Sequence, residues 1–266
     1  MSNRFCGKIA WITGAENAVA KAIAAALYQE GASLLLSGAK AVPAGIEPAE
    51  GQFIIALPEP AKDESAAKAA LSQVERVDLV ITGAREPDQS TIAGGNAALF
   101  DHYIDANLTS VFCALHAAAG KMGMHRPCAM LVLASIHGEK PSITAPLFSI
   151  ANGGLNMLVK EAAQDLGRAG YRINMLRYGP LIGDEALFLS EESGLYHNIV
   201  GRVPRGAAAT PEEIAKAGLL LLSEDASFIN GAIVTADGGF LGHYLNADAP
   251  RRWENGFGQP GEGDAQ

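Results

Sequence analysis

Ser135 and His137 stand two residues apart, and together with Asn107 and Tyr178 they are the side chains best suited to act on a polar substrate. A serine–histidine pair becomes nucleophile and base only when the two groups hydrogen-bond and a third group orients the histidine. Residues two apart on an extended segment point the same way but rarely meet in that geometry. The competing reading is structural: Ser135 caps a strand end, and Asn107 bonds backbone within a long helix. The histidines at 102, 116, 125, 137, 197 and 243 show no ligand spacing on one face, so no metal site is expected. Cys6, Cys113 and Cys128 are widely separated, form no Cys-x-x-Cys pair and read as free thiols of a reducing compartment.

These residues meet only if distant segments come together, and the hydrophobic pattern indicates how. Short apolar runs fall at 8–13, 34–37, 53–57, 77–81, 130–134, 171–176 and 232–235. Helical stretches alternate with them at 17–30, 62–74, 96–123, 147–169 and 211–223, the last opened by a Thr210 cap with Pro211 in its first turn. Strands that are apolar throughout and alternate with helices predict a parallel sheet covered on both faces. The expected fold is therefore α/β, a single doubly wound (Rossmann-type) parallel sheet with helices on both faces. No repeat or linker divides it. The domain is expected to span residues 1–254, with a glycine-rich, frayed tail at 255–266. Residues 181–204, with Leu187, Phe188, Leu189 and Leu195, read as a lid over an apolar ligand or a protein contact.

The 266 residues are 48% hydrophobic and 18% charged, ample for a buried core and too apolar for disorder. Lys and Arg number 20 against 29 Asp and Glu, a formal charge of −9. That acidity repels a phosphate backbone and argues against nucleic acid as a partner. No apolar run approaches the ~20 residues of a membrane span. Residues 1–7 carry no apolar signal segment. A cytoplasmic protein without membrane contact is expected.

The order of motifs along this framework resembles the short-chain dehydrogenase/reductase family, from about residue 8 to residue 239. Thr13-Gly14-Ala15 follows the first strand as in that family's TGxxxGxG loop, and Val77-Asp78-Leu79-Val80 precedes the position of its NNAG motif. Asp105-Ala106-Asn107-Leu108-Thr109 matches the segment carrying its asparagine, and Leu133-Ala134-Ser135 the strand end carrying its serine. Arg172-Ile173-Asn174 and Asp237-Gly238-Gly239 match its late strands. The resemblance implies hydride transfer between a nicotinamide and an alcohol or ketone. A tyrosine hydroxyl serves as acid/base, a lysine four residues later lowers its pKa, and a serine holds the substrate oxygen.

Several of the residues this reaction needs are replaced. The family's YxxxK aligns with Phe148-Ser149-Ile150-Ala151-Asn152, so Phe148 stands for the tyrosine and Asn152 for the lysine. Phenylalanine has no proton to donate, and asparagine has no charge with which to lower a neighbour's pKa. The cofactor loop keeps Gly14 but has Ala18 and Ala20 where the other two glycines belong. A Cβ at Ala18 crowds a pyrophosphate, and Glu16 adds negative charge beside it. After the second strand, Ser37-Gly38-Ala39 offers neither an acid for a ribose hydroxyl nor an arginine for a 2′-phosphate. The third strand ends in Ala56-Leu57-Pro58 without an aspartate for adenine, Thr82-Gly83-Ala84-Arg85 replaces NNAG, and Tyr178-Gly179 replaces the Pro-Gly beside the nicotinamide.

The two long helices through which family members associate, 97–123 and 147–169, are retained, the second with small residues Ala151, Gly153 and Gly154 at its start. An Arg251-Arg252-Trp253 cluster could anchor on a neighbour. The resemblance thus implies a catalytically silent subunit in which Asn107, Ser135, Phe148 and Asn152 are vestigial and no cofactor is bound. It would assemble as a hetero-oligomer, of the family's tetrameric kind, with an active short-chain dehydrogenase paralogue that holds the NAD. The pattern of loss is similar to that of the degenerate subunit of the two-component hydroxybenzylsuccinyl-CoA dehydrogenase of anaerobic toluene degradation, which implies a hydroxyacyl-CoA as the partner's substrate. Two alternatives stay open. One is a lyase, cyclase or isomerase reusing the crevice around Ser135, His137 and Tyr178; the other is a ligand-binding regulator.

Overall fold

The computed structural model describes residues 3–43, 46, 49–83, 86, 90–123, 127–142, 145–182 and 199–242. Ala84 and Arg85, the lid residues Leu187, Phe188, Leu189 and Leu195, the Arg251–Trp253 cluster, and the boundary between domain and tail at 254 lie outside them.

Seven strands form one parallel sheet in the order β3-β2-β1-β4-β5-β6-β7. They are β1 (Ile9–Ile12), β2 (Ser33–Ser37), β3 (Ile54–Leu57), β4 (Leu79–Thr82), β5 (Cys128–Ser135), β6 (Tyr171–Tyr178) and β7 (Ile233–Ala236). The order reverses between β1 and β4, which places the crevice of a doubly wound fold above their carboxyl ends. Side chains alternate between two apolar layers, as strands buried on both faces require. Ile12, Leu34, Leu36, Leu131 and Leu133 pack with Val19, Ile23 and Leu27 of α1 (Ala18–Gln29) and with Ile214 and Leu219 of α6 (Pro211–Leu222). On the other face, Trp11, Leu35, Val80, Met130 and Val132 pack with Leu71 of α2 (Glu64–Leu71), Val111 and Leu115 of α4 (Ser110–Ala119), and Leu155 and Val159 of α5 (Pro146–Gly167).

The strand runs and helices expected from the sequence are present with shifted ends, except the single helix over 96–123. Side chains set several of these ends. Asn17 caps α1, Asp63 caps α2, and Thr210 with Glu213 forms a reciprocal capping box on α6.

The expected single helix over 96–123 is instead interrupted. It comprises α3 (Ala97–Ile104), a wide π-type turn at Asp105–Thr109, and α4. The Asn107 carboxamide donates to the Tyr103 carbonyl at 3.1 Å and accepts the Glu86 N–H at 2.9 Å. Ser110 Oγ donates to the Ala106 carbonyl at 2.7 Å. These side-chain bonds compete with the regular ladder and accommodate one extra residue in the turn.

The small residues at the start of α5 need a second correction. Ala151 is fully buried within the chain, and a Cβ on Gly154 would come 2.7 Å from Leu108 Cδ2. Both therefore serve packing inside the subunit. Gly153 alone of the three faces open space.

Candidate functional site

The site is assembled where β5 ends, where the π-type turn passes, and where α5 begins. Ser135, the last residue of β5, pairs in register with Tyr178, the last of β6, so both side chains leave the same sheet face. A short 3-10 turn, Ile136–Gly138, follows Ser135 and lies against α5. Its approach is close: a Cβ on Gly138 would fall 2.8 Å from the Asn152 carbonyl oxygen.

Asn152 bridges these elements. Its Oδ1 accepts the Ser135 backbone N–H at 2.8 Å, and its Nδ2 donates to the Phe148 carbonyl at 2.9 Å. The carboxamide is thus committed to holding β5 against α5. Phe148 lies edge-on to the His137 ring, with centroids 6.5 Å apart. Ser135 Oγ accepts the His137 backbone N–H at 3.3 Å, and His137 Nδ1 lies 3.2 Å from the Lys140 carbonyl oxygen. Beneath the same turn, Arg177 bonds Glu139 and the Asn156 carboxamide, whose Nδ2 donates to the Gly138 carbonyl.

Asn152 joins Ser135 and Phe148, whereas Asn107 bonds Glu86 and Tyr103 in the π-type turn; all four are buried, Asn107, Ser135, Phe148 and Asn152 at 1%, 3%, 5% and 3% exposure. Tyr178 is equally buried and belongs to the apolar layer containing Leu133, Leu176 and Leu181. The expectation that Asn107 and Tyr178 face an open crevice is therefore corrected: one carboxamide binds backbone and one ring joins the core. Packing in the sheet layer decides the outcome for Tyr178, and backbone bonds within and beside the π-type turn decide it for Asn107. The readings of Ser135 as a strand-end cap and of Asn107 as bonded to backbone are the geometry observed.

The cofactor loop lies at the other side of the crevice. Gly14 takes a left-handed conformation, φ 61°, to turn the chain out of β1. Asn17 Oδ1 accepts the Val19 and Ala20 N–H groups at 2.9 and 3.3 Å. These amides open α1, where a doubly wound fold receives a pyrophosphate. Ala18 is exposed and presents its methyl group at that helix start, whereas Ala20 is buried in helix packing. Glu16 accepts the Lys40 N–H at 3.2 Å and pairs with Lys21 Nζ at 2.9 Å. The Lys21 bond and then the Lys40 amide hold the Glu16 carboxyl below its ordinary pKa, so it is ionised at neutral pH. At the end of β2, the Ser37 hydroxyl accepts the Trp11 indole N–H within the core, where no ribose reaches it. Ala18 and Glu16 thus place a methyl group and a negative charge at the helix start, where a dinucleotide's pyrophosphate would lie.

Other matched motifs are structural. Arg172 donates to the Leu221, Leu222 and Ser223 carbonyls, capping the carboxyl end of α6. Asp237 accepts the Gly239 and Leu241 N–H groups in a closing turn. A cavity of about 450 Å³ opens at the opposite end of the sheet, beside the amino ends of β4, β5 and β6, lined by Arg4, Lys8, Arg172 and Glu224 among others. Arg4 there is paired with Glu30, and Arg172 is engaged by its carbonyls. Among the described residues no group of three metal-ligating side chains occurs, and no helix is long and apolar enough to cross a membrane.

The bridge from Glu16 to Lys40 and both hydrogen bonds of Asn152 had no counterpart in the sequence. The Asn17 cap was available from its position one residue before a helix.

Comparison with known proteins places this geometry in a family. A family model described as enoyl-(acyl carrier protein) reductase matches residues 14–241. The chain is 26% identical over 245 residues to a 2-dehydro-3-deoxy-D-gluconate 5-dehydrogenase of Pseudoalteromonas atlantica, covering 89% of this chain and 96% of that one. It is 28% identical over 236 residues to an acetoacetyl-CoA reductase of Paracoccus denitrificans, covering 87% and 97%. Its fold matches a short-chain dehydrogenase/reductase from Serratia marcescens with TM-score 0.78 at 23% identity, over 89% of this chain and 99% of that one. It also matches a structure from Beutenbergia cavernae, described as an NAD(P)-dependent gluconate 5-dehydrogenase with bound NADP at low occupancy, with TM-score 0.81 at 20% identity, over 91% and 100%. The chain belongs to the short-chain dehydrogenase/reductase family of oxidoreductases.

Proposed function

We propose that this chain is a catalytically silent subunit of a short-chain dehydrogenase assembly, paired with an active paralogue that binds NAD and carries out hydride transfer. The observation that carries the reading is Asn152. It stands where the lysine of YxxxK belongs, and its carboxamide clamps Ser135 N–H and the Phe148 carbonyl. With Phe148 at the tyrosine position, no described group at this site can exchange a proton with a substrate oxygen while a lysine charge tunes it. The cofactor loop, occupied by its own Asn17 and Glu16, supports the same reading.

What remains is a folded scaffold with large apolar side chains exposed on three helices. Phe100 on α3, Phe112 on α4, and Ile150 and Met157 on α5 are substantially exposed. Aromatic and Met side chains of this kind are favoured at subunit contacts. The partner's substrate, in this reading, is a hydroxyacyl-CoA, in keeping with the pattern of loss and with the acetoacetyl-CoA reductase among the relatives.

The test is a hydride-transfer assay of the purified chain with NAD(H) and NADP(H) against alcohols, ketones and acyl-CoA thioesters. No turnover is expected alone, and turnover is expected on adding the partner. Turnover by the isolated chain contradicts the proposal.

A further inference from the structure

The dinucleotide path in a doubly wound fold runs from the start of α1, which receives the pyrophosphate, to the end of β2, which receives the ribose. In this chain one side chain spans that path. Glu16 leaves the β1–α1 loop and accepts the backbone N–H of Lys40, just beyond β2, while pairing with Lys21 on α1. Beside it, Asn17 has taken the Val19 and Ala20 amides, and the Ala18 methyl group stands at the helix start.

We propose that Glu16 is a built-in latch, an intrachain anion that occupies the nucleotide path, and that together with Ala18 it sets the exclusion of adenine dinucleotides from this subunit. The inference rests on the silent-subunit reading and assigns the exclusion to particular residues.

A carboxylate here repels an incoming diphosphate and also uses the amide and the cation that would otherwise be free to meet one. The depressed pKa of Glu16 keeps the latch charged throughout the neutral range. Because the Glu16 and Lys21 side chains are about half exposed, at 53% and 44%, their pairing contributes little to stability, so the latch can be removed without unfolding the chain. Ala18 acts by shape, holding a ligand's phosphates off the backbone by the width of a methyl group.

The experiment is isothermal titration of the full chain with NAD+ and with ADP, comparing wild type with Glu16→Ser, Glu16→Gln and the double variant Glu16→Ser/Ala18→Gly. The expected result is no measurable binding by wild type, detectable binding by both single variants, and at least about tenfold tighter binding by the double variant than by either. Glu16→Asp, which keeps the charge, is expected to bind no better than wild type. Thermal unfolding of each variant checks that the fold is retained, and the isosteric Glu16→Gln preserves the Lys40 contact should Glu16→Ser perturb the loop. Binding of NAD+ by wild type, or no gain in the double variant, overturns the assignment. Variants that bind NAD+ are still expected to transfer no hydride, because Phe148 and Asn152 are unchanged. Hydride transfer by them would leave the latch standing and contradict the silent-subunit reading instead.

Discussion

At the scale of single residues, the same buried atoms that would serve catalysis here serve cohesion. Asn152 holds a backbone N–H at a strand end, and no solvent reaches it to substitute if the carboxamide is removed. Asn152→Ala is therefore expected to destabilise the chain by about 1–3 kcal/mol, the cost of a buried unsatisfied donor, read as a lower urea midpoint. An unchanged midpoint would show that the clamp contributes nothing. Glu213 makes a second prediction, this time in pH. Its bond to Arg205, then to the Thr210 N–H, holds its carboxyl down to about 2 from an ordinary 4.5. A carboxyl whose folded pKa is depressed stabilises above its unfolded value and loses that stabilisation as pH falls. Wild type should thus lose, between pH 4.5 and 2, an advantage in thermal midpoint over Glu213→Gln that is constant above that window. A constant difference across the whole range would contradict the linkage.

At the scale of elements, Gly138 marks how tightly the 3-10 turn lies on α5. A methyl group there would meet the Asn152 carbonyl oxygen, which is backbone and cannot swing aside. Gly138→Ala is expected to cost about 1–3 kcal/mol as overpacking, measured by chemical denaturation, whereas Gly153→Ala, facing open space, should be neutral or slightly stabilising. The strands and most helices are legible in the sequence because apolar runs such as 34–37, closed by Gly38, and 130–134, set between Pro127 and Ser135, alternate with capped helical stretches. The interruption at Asp105–Thr109 is not, since one extra residue in a turn barely disturbs a helical hydrophobic period, and only the bonds of Asn107 reveal it. The loss of YxxxK is legible by alignment with the serine. What replaced it is not, because the clamp from Asn152 to Ser135 joins two elements whose separation in space no local pattern encodes. Tyr178 fails in the same way: a tyrosine at a strand end reads as a polar site residue until the neighbouring layer is seen to enclose it.

At the scale of the whole molecule, α3, α4 and α5 of this acidic chain leave large apolar side chains exposed, and the proposed subunit role requires a partner to cover them. Phe112 on α4 is one of them, 52% exposed and stacked on His116. Phe112→Asp is expected to shift the assembly toward monomer in sedimentation velocity, with far-ultraviolet circular dichroism unchanged. An unaltered assembly would place the contact elsewhere. The central claim is that this subunit's chemistry belongs to a partner chain. Native mass spectrometry of the untagged protein isolated from its own source tests it most directly. The account predicts a mixed oligomer, with a second chain that carries YxxxK and retains nicotinamide. A homo-oligomer with NAD or NADP bound to this chain would contradict it.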